Sequence, residues 1–199
     1  MWYPAITTTP PAVEPLTLAA AKQFLRIDAD LTSFDIEVGA AIAGARGEVE
    51  DFTGSRLITQ EVSLQADRWE DLAHLPIGPV QELLSLSWRR RDTEDAEIDL
   101  STVERFGGTV GQGIRPTAGN RWPDEHWQDL GYRCEWGDSR ARRDREGLII
   151  TVGLRVGYGA DATALPASLN VALLLAARGI YDDKPVDLSS RLGSHRIWL

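Results

Sequence analysis

The sequence is short of several things, and each shortage removes a class of function. Of its 199 residues one is a cysteine, Cys134, so there is neither an intrachain disulfide framework nor a cysteine-based zinc site. Nothing in the local sequence offers that thiol a base, and it reads as a partly buried, inert side chain. The three histidines, His74, His126 and His195, lie far apart, and none has the spacing of a metal-ligand pair. His126 follows Asp124 and Glu125 but reads as a solvated loop residue. Long hydrophobic runs are missing too. The longest, Val171–Ala177, is far too short to cross a bilayer, and the first residues show no charged region followed by an apolar stretch, so no secretory signal is expected. Basic charge is scarce in net terms: the formal charge of −9 argues against a protein that coats nucleic acid. Lysine is nearly absent, with two against nineteen arginines, a ratio that codon usage in a GC-rich genome explains without function.

What is present suits an ordinary globular chain. At 43% hydrophobic and 26% charged residues there is material for a real core. Residues 1–15 hold Pro4, Pro10, Pro11 and Pro15 and predict an extended arm without helix. Thr17 can cap a helix over 17–27, where Leu18, Ala21 and Leu25 follow a helical stripe. Val38, Ile42, Ala45, Val49 and Phe52 predict a longer helix over 33–53 that stops at Gly54. Gly39, Gly44 and Gly47 weaken that helix by roughly 1 kcal/mol each relative to Ala, a cost that close packing against another helix would offset. Pro166 opens a third helix over 166–181. Its apolar residues occupy more than one face: Leu169, Leu173, Ala176 and Ile180 on one, Val171, Leu174 and Leu175 on others. It is either a central core helix covered within the chain or a helix completed by a neighbouring subunit.

Between the helices the period changes to two. In ITQEVSLQA, Ile58, Val62, Leu64 and Ala66 share a face, with Gln60 the exception; in LSLSWR, Leu84, Leu86 and Trp88 alternate with polar residues. The clearest strand is LIITVGLRVGY, with Leu148, Ile150, Val152, Leu154, Val156 and Tyr158 on one side. The expected fold class is therefore α+β: a small α-helical bundle core, an antiparallel β-rich insertion over about 56–158, and extended terminal arms. In terms of domain organisation this is one domain over 1–199, with an N-terminal arm (1–15), helical core segments (16–54 and 164–185), a β-rich insertion (56–160) and a C-terminal arm (186–199).

No catalytic constellation emerges. GGTVGQG, residues 107–113, fits neither phosphate-binding glycine template and reads as a hairpin or flexible loop. The carboxylates of RDTEDAEID, residues 91–99, look like a solvated turn; they and the carboxylates of 124–129 would make a hydrolase only if a pocket joined them. SRARRDR, residues 139–145, is diluted by Asp138, Asp144 and Glu146 and reads as a salt-bridged surface. Seven tryptophans raise the alternative of a carbohydrate- or ligand-binding β-domain, which needs exposed, coplanar rings. The chain ends on Ile197-Trp198-Leu199, which either folds back onto its own domain or fits into something else.

The order of the elements carries more than any one motif. PLTLAAAKQFLRID leads to a helix closing on VEDFTGSRLITQ, then LPIGPVQELLSLSW, RPTAGNRWP, LIITVGLRVGYG and ALPASLNVALLLAARGIYDD. From about Pro15 to Pro185 this set resembles the head–tail connector, or adaptor, family of long-tailed bacteriophages and phage-derived gene transfer agents. The resemblance implies a structural protein with no enzymatic activity and no cofactor. It would form a ring, typically of twelve copies, beneath the portal, made and assembled in the bacterial cytoplasm. Its partners would be copies of itself, the portal protein, the stopper or tail-completion protein, and double-stranded DNA passing without sequence-specific binding; no membrane is involved. The resemblance favours 186–199 as a portal-docking arm, with Arg191, His195, Arg196, Ile197, Trp198 and Leu199 as contacts, Trp and Arg being enriched at interface hot spots. It assigns Val171, Leu174, Leu175 and Arg178 to subunit contacts. Trp122, Trp127, Trp136, Arg142 and Arg143 fall in a segment longer than the family pattern, a candidate surface for the stopper or a neighbour. Net acidity would suit a channel wall that repels phosphate weakly.

Overall fold

A computed structural model of the chain describes residues 1–90, 93–123 and 147–198. Helix α1 spans Leu18–Leu25, and Thr17 caps it by accepting a hydrogen bond from the Ala20 N–H at 3.2 Å. The helix stops at Arg26, which takes the left-handed conformation (φ 62°). The loop that follows is held from inside. Lys22 is buried, pairs with Asp35, and donates to the carbonyls of Ala29 (3.2 Å) and Leu31 (3.1 Å).

Helix α2, Asp35–Thr53, follows a 3-10 turn at Thr32–Phe34 and buries Val38, Ile42, Ala45 and Val49 of the predicted stripe, together with Ala41, while Phe52 is half-buried. Gly54 ends it at φ 71°, a conformation that a side chain would strain, with its N–H on the Glu50 carbonyl. Helix α3, Ala167–Tyr181, starts directly after Pro166. Its inner face of Leu169, Ala172, Leu173, Ala176 and Ala177 packs with α1 and α2. Of the three glycines in α2, Gly44 meets α3: a methyl group placed there would lie 2.9 Å from Ile180 Cδ1.

Strands β1 (Ile6–Thr9), β2 (Gln60–Ala66), β3 (Val80–Arg89), β4 (Ala96–Glu97) and β7 (Ile149–Val156) form one antiparallel sheet in the order β1-β2-β7-β3-β4. A separate hairpin pairs β5 (Val103–Phe106) with β6 (Gly113–Pro116). The expected α+β class and antiparallel pairing hold. Along β7 burial alternates as the sequence predicts, with Ile150, Val152, Leu154 and Val156 inside. Its outward Arg155 bridges to both neighbouring strands, reaching Glu61 on β2 at 3.0 Å and Glu82 on β3.

Four expectations need correcting or refining. The interior is not one helical core but two clusters. One lies among α1, α2 and α3. The other lies between the sheet and a cover made by the 3-10 segment Trp69–Ala73 and the β5–β6 hairpin. In β3 the inward residue is Leu83 rather than Leu84, because register irregularities at Val80/Glu82 and Leu83/Ser85 break the strict alternation. The proline-rich arm is extended as expected, but Ile6–Thr9 adds to the sheet edge at β2 and Trp2 donates its indole N–H to the His74 carbonyl at 2.9 Å. The C-terminal segment is not an extended arm. It forms a short helix, α4 (Ser189–Leu192), and a 3-10 turn at Gly193–His195, because Leu188 and Leu192, four residues apart, are both buried in the helical cluster.

Candidate functional site

The C-terminal segment is built onto the end of α2. Asp187 accepts from the Ser189 N–H (2.9 Å) and hydroxyl (2.6 Å), which starts α4. Leu192 is fully buried, and beyond the next turn the chain reaches the C-terminal end of α2. The last-turn carbonyls of a helix lack intrahelical partners; that of Thr53 accepts from the Ile197 N–H at 2.8 Å. The Ile197 side chain lies over two glycines. A methyl group on Gly54 would stand 3.4 Å from its Cβ, and one on Gly78 would stand 3.3 Å from its Cδ1. The two glycines let Ile197 lie close against the backbone there. Arg196 stacks between two rings, 5.3 Å from the Phe52 centroid and 4.4 Å from that of Trp198. His195 and the Ser168 hydroxyl share a hydrogen bond at 2.8 Å. Trp198 itself is 68% exposed, and Arg191 is exposed. The structure therefore brings His195, Arg196, Ile197 and Trp198 together with Phe52, Thr53, Gly54 and Ser168; Leu199 lies outside the described residues.

Of the α3 residues assigned to subunit contacts, Val171, Leu175 and Arg178 share the outer face of that helix, while Leu174 packs against the helical cluster. Val171 is 46% exposed, Leu174 and Leu175 are half-buried, and Arg178 is exposed and pairs with Asp182 at 3.4 Å. The apolar spread seen in the sequence thus divides into an inner face and an outer one, except that Ile180, expected with Leu169, Leu173 and Ala176, is exposed.

Trp122 belongs to the sheet core. It stacks on Trp69 with centroids 4.7 Å apart and planes 11° from parallel, and Trp69 meets Trp88 edge-on at 6.3 Å. These coplanar rings are interior, which removes them as a platform for a ligand. Trp127, Trp136, Arg142 and Arg143 lie outside the described residues, as do Cys134, His126 and the carboxylates of 124–129. Residues 93–97 are exposed, and Asp99 caps the 3-10 turn Leu100–Thr102, where the Ser101 N–H holds its carboxyl below the usual range. Among the described residues no group of three or more potential ligands could hold a metal ion, and no helix is long and apolar enough to cross a membrane.

One polar centre was legible only in part. Glu50 is buried where α2 meets the start of β2, accepting from the Leu57 N–H at 2.9 Å and facing Gln60 at 3.5 Å, with Arg56 at 3.8 Å and Arg46 at 4.0 Å. Burial pushes its carboxyl up from the usual value, against the opposing pull of the Leu57 N–H, Arg56 and Arg46. Gln60, the polar exception on an apolar strand face, was the signal: it is buried because Glu50 awaits it. The arrangement ties helix to sheet.

No protein-family model and no curated protein matches the chain. Solved structures do. A chain in the neck of an empty gene transfer agent particle, computed with C6 symmetry, matches at TM-score 0.73 and 18% identity over 99% of this chain and 97% of that one. A chain in the virion of a native gene transfer agent particle matches at 0.73 and 19% over 98% and 96%. One in the neck of the native particle, computed with C12 symmetry, matches at 0.61 and 19% over 98% and 96%. From first helix to last turn, the chain has the fold of a protein found in the neck of gene transfer agent particles.

Proposed function

We propose that the protein is a structural subunit of the neck of a tailed phage or gene transfer agent particle. It acts there as a ring-forming adaptor beneath the portal that extends the DNA channel and presents a platform to the stopper. The observation that carries this is the fold likeness over nearly the whole chain to chains in gene transfer agent necks computed with sixfold and twelvefold symmetry. The ordered sequence elements point the same way, and the interior tryptophan stack speaks against a ligand-binding domain. The C-terminal segment is the portal contact in this reading. In the free chain it is folded onto α2, so docking exchanges the Ile197 slot and the Arg196 stack for contacts on the portal. The exposed Trp198 and Arg191 are the residues free to begin that exchange.

The test is electron microscopy of particle necks together with a binding assay on the cognate portal. A ring of this chain is expected directly below the portal, and Trp198→Ala is expected to leave the fold unchanged while portal attachment falls at least about tenfold. Normal attachment by the variant would refute the role of the segment. Necks that lack the chain would refute the function.

A further inference from the structure

The ring reading leaves open which surfaces meet, and two helix faces answer. A cyclic ring needs a heterologous contact, in which one face of a subunit meets a different face of the next. Helix α2 carries an outer face opposite its buried stripe. Ile36, Ala40, Ala43 and Gly47 follow one another at steps of four, three and four residues, so they lie in one row. Ile36 is 86% exposed, more than any other large apolar residue among those described, and Ala40 and Ala43 are exposed as well. Unlike Gly44, the glycines at 39 and 47 meet nothing: a methyl group on either would find no atom within 4 Å. Within the subunit, Ala would fit both places and hold the helix better. Flanking the row, Glu37, Glu48 and Asp51 are exposed and make no ion pair among the described residues.

The outer face of α3 has the opposite character. Val171 and Leu175 present bulk where α2 offers small residues, and the exposed Arg178, paired within its own helix end to Asp182 at 3.4 Å, stands where α2 of the next copy would bring unpaired carboxylates. Each face lies on the far side of its own helix from the core that the two helices share. Shape and charge are thus complementary between two different faces of one chain, which is the requirement for head-to-tail closure.

We propose that the α2 face of Ile36, Ala40, Ala43 and Gly47 is the docking surface for the α3 face of Val171, Leu175 and Arg178 on the next copy of this chain. The small residues let the two backbones approach, and Arg178 exchanges Asp182 for Glu48 or Asp51 of the next copy. This rests on the ring reading above, and it names a contact that the reading does not require.

The test uses single cysteines in a Cys134→Ser background, assembled on the cognate portal. Chains carrying Ala43→Cys are expected to cross-link to chains carrying Leu175→Cys when the two are mixed, and neither to itself. A chain carrying both is expected to give a ladder of covalent oligomers. Self-linking of either single variant would show a two-fold contact and overturn the proposal. So would intact rings below the portal with no cross-link. Absence of any ring from the unsubstituted chain would instead refute the ring reading itself. A charge exchange checks the same contact without cysteines. Arg178→Glu is expected to reduce ring assembly at least about tenfold, and adding Glu48→Arg to restore most of it. No loss from the first change, or no recovery with the second, would count against the contact.

Discussion

Gly44 and Gly47 stand three residues apart on one helix and should respond differently to the same change. Ala for Gly in a helix interior gains about 1 kcal/mol when the new methyl group has room. At Gly47 it has room, since nothing lies within 4 Å, so Gly47→Ala is expected to stabilise the free subunit by about 1 kcal/mol. At Gly44 the methyl group would stand 2.9 Å from Ile180 Cδ1, inside van der Waals contact. Overpacking costs about 1–3 kcal/mol. Ile180 is 37% exposed and can swing its terminal methyl aside, which sets the cost at the low end. The gain and the cost then nearly cancel, and Gly44→Ala should leave stability within about 0.5 kcal/mol of the parent. For a chain of 199 residues a difference of about 1 kcal/mol between the variants is about 2–4 °C in Tm. The assay is thermal unfolding by circular dichroism, at concentrations where size exclusion shows single subunits. Ile180→Val removes the offending methyl, so combined with Gly44→Ala it should recover about 1 kcal/mol relative to the sum of the two single changes. Equal Tm gains from both glycine replacements, or no coupling to Ile180→Val, would refute the packing argument.

Two further predictions concern buried polar groups. Glu50 has a folded pKa above its unfolded value, so its contribution to stability is fully present below the unfolded pKa near 4.5 and is lost as pH rises through the folded one. Stability of Glu50→Gln relative to the parent should therefore rise with pH across that window, measured by urea unfolding at a series of pH values, and a flat or falling difference would contradict the assignment. Lys22→Met should cost about 1–3 kcal/mol, because the carbonyls of Ala29 and Leu31 lose their buried donor, with a matching loss of amide protection in the α1–α2 loop by hydrogen exchange.

Much of this fold could be read directly where a short-range pattern decides it. The buried stripe of α2 and the alternation of β7 are local, and both elements lie where their patterns put them. What failed to show is what depends on distant partners. Leu83 replaces Leu84 as the inward residue because β3 has to follow β7 through irregular register, which its own residues do not reveal. The pairing of Ile6–Thr9 rests on an edge more than fifty residues away. The C-terminal segment looked like an arm because the slot that receives Ile197 is assembled from Gly54 and Gly78, two glycines with unrelated local roles. Among the site residues, the outer face of α3 was legible as an apolar excess. The matching row on α2 was hidden, since alanine and glycine look neutral until the structure shows nothing beside them.

The central position of β7 has a consequence for how the subunit is made. Its two sheet neighbours, β2 and β3, leave the ribosome first, and each waits with an open edge until Val156 has been synthesised. Unpaired edges recruit strands from other chains, so nascent subunits crowded on one message are exposed to mispairing during that interval. The same geometry gives evolution a free hand. Among the described residues those between Glu97 and Ile149 lie outside the five-stranded sheet, and lengthening the connection there costs little, since closure entropy grows only with the logarithm of its length. New surface can be added to the particle there without moving a single residue of the sheet register.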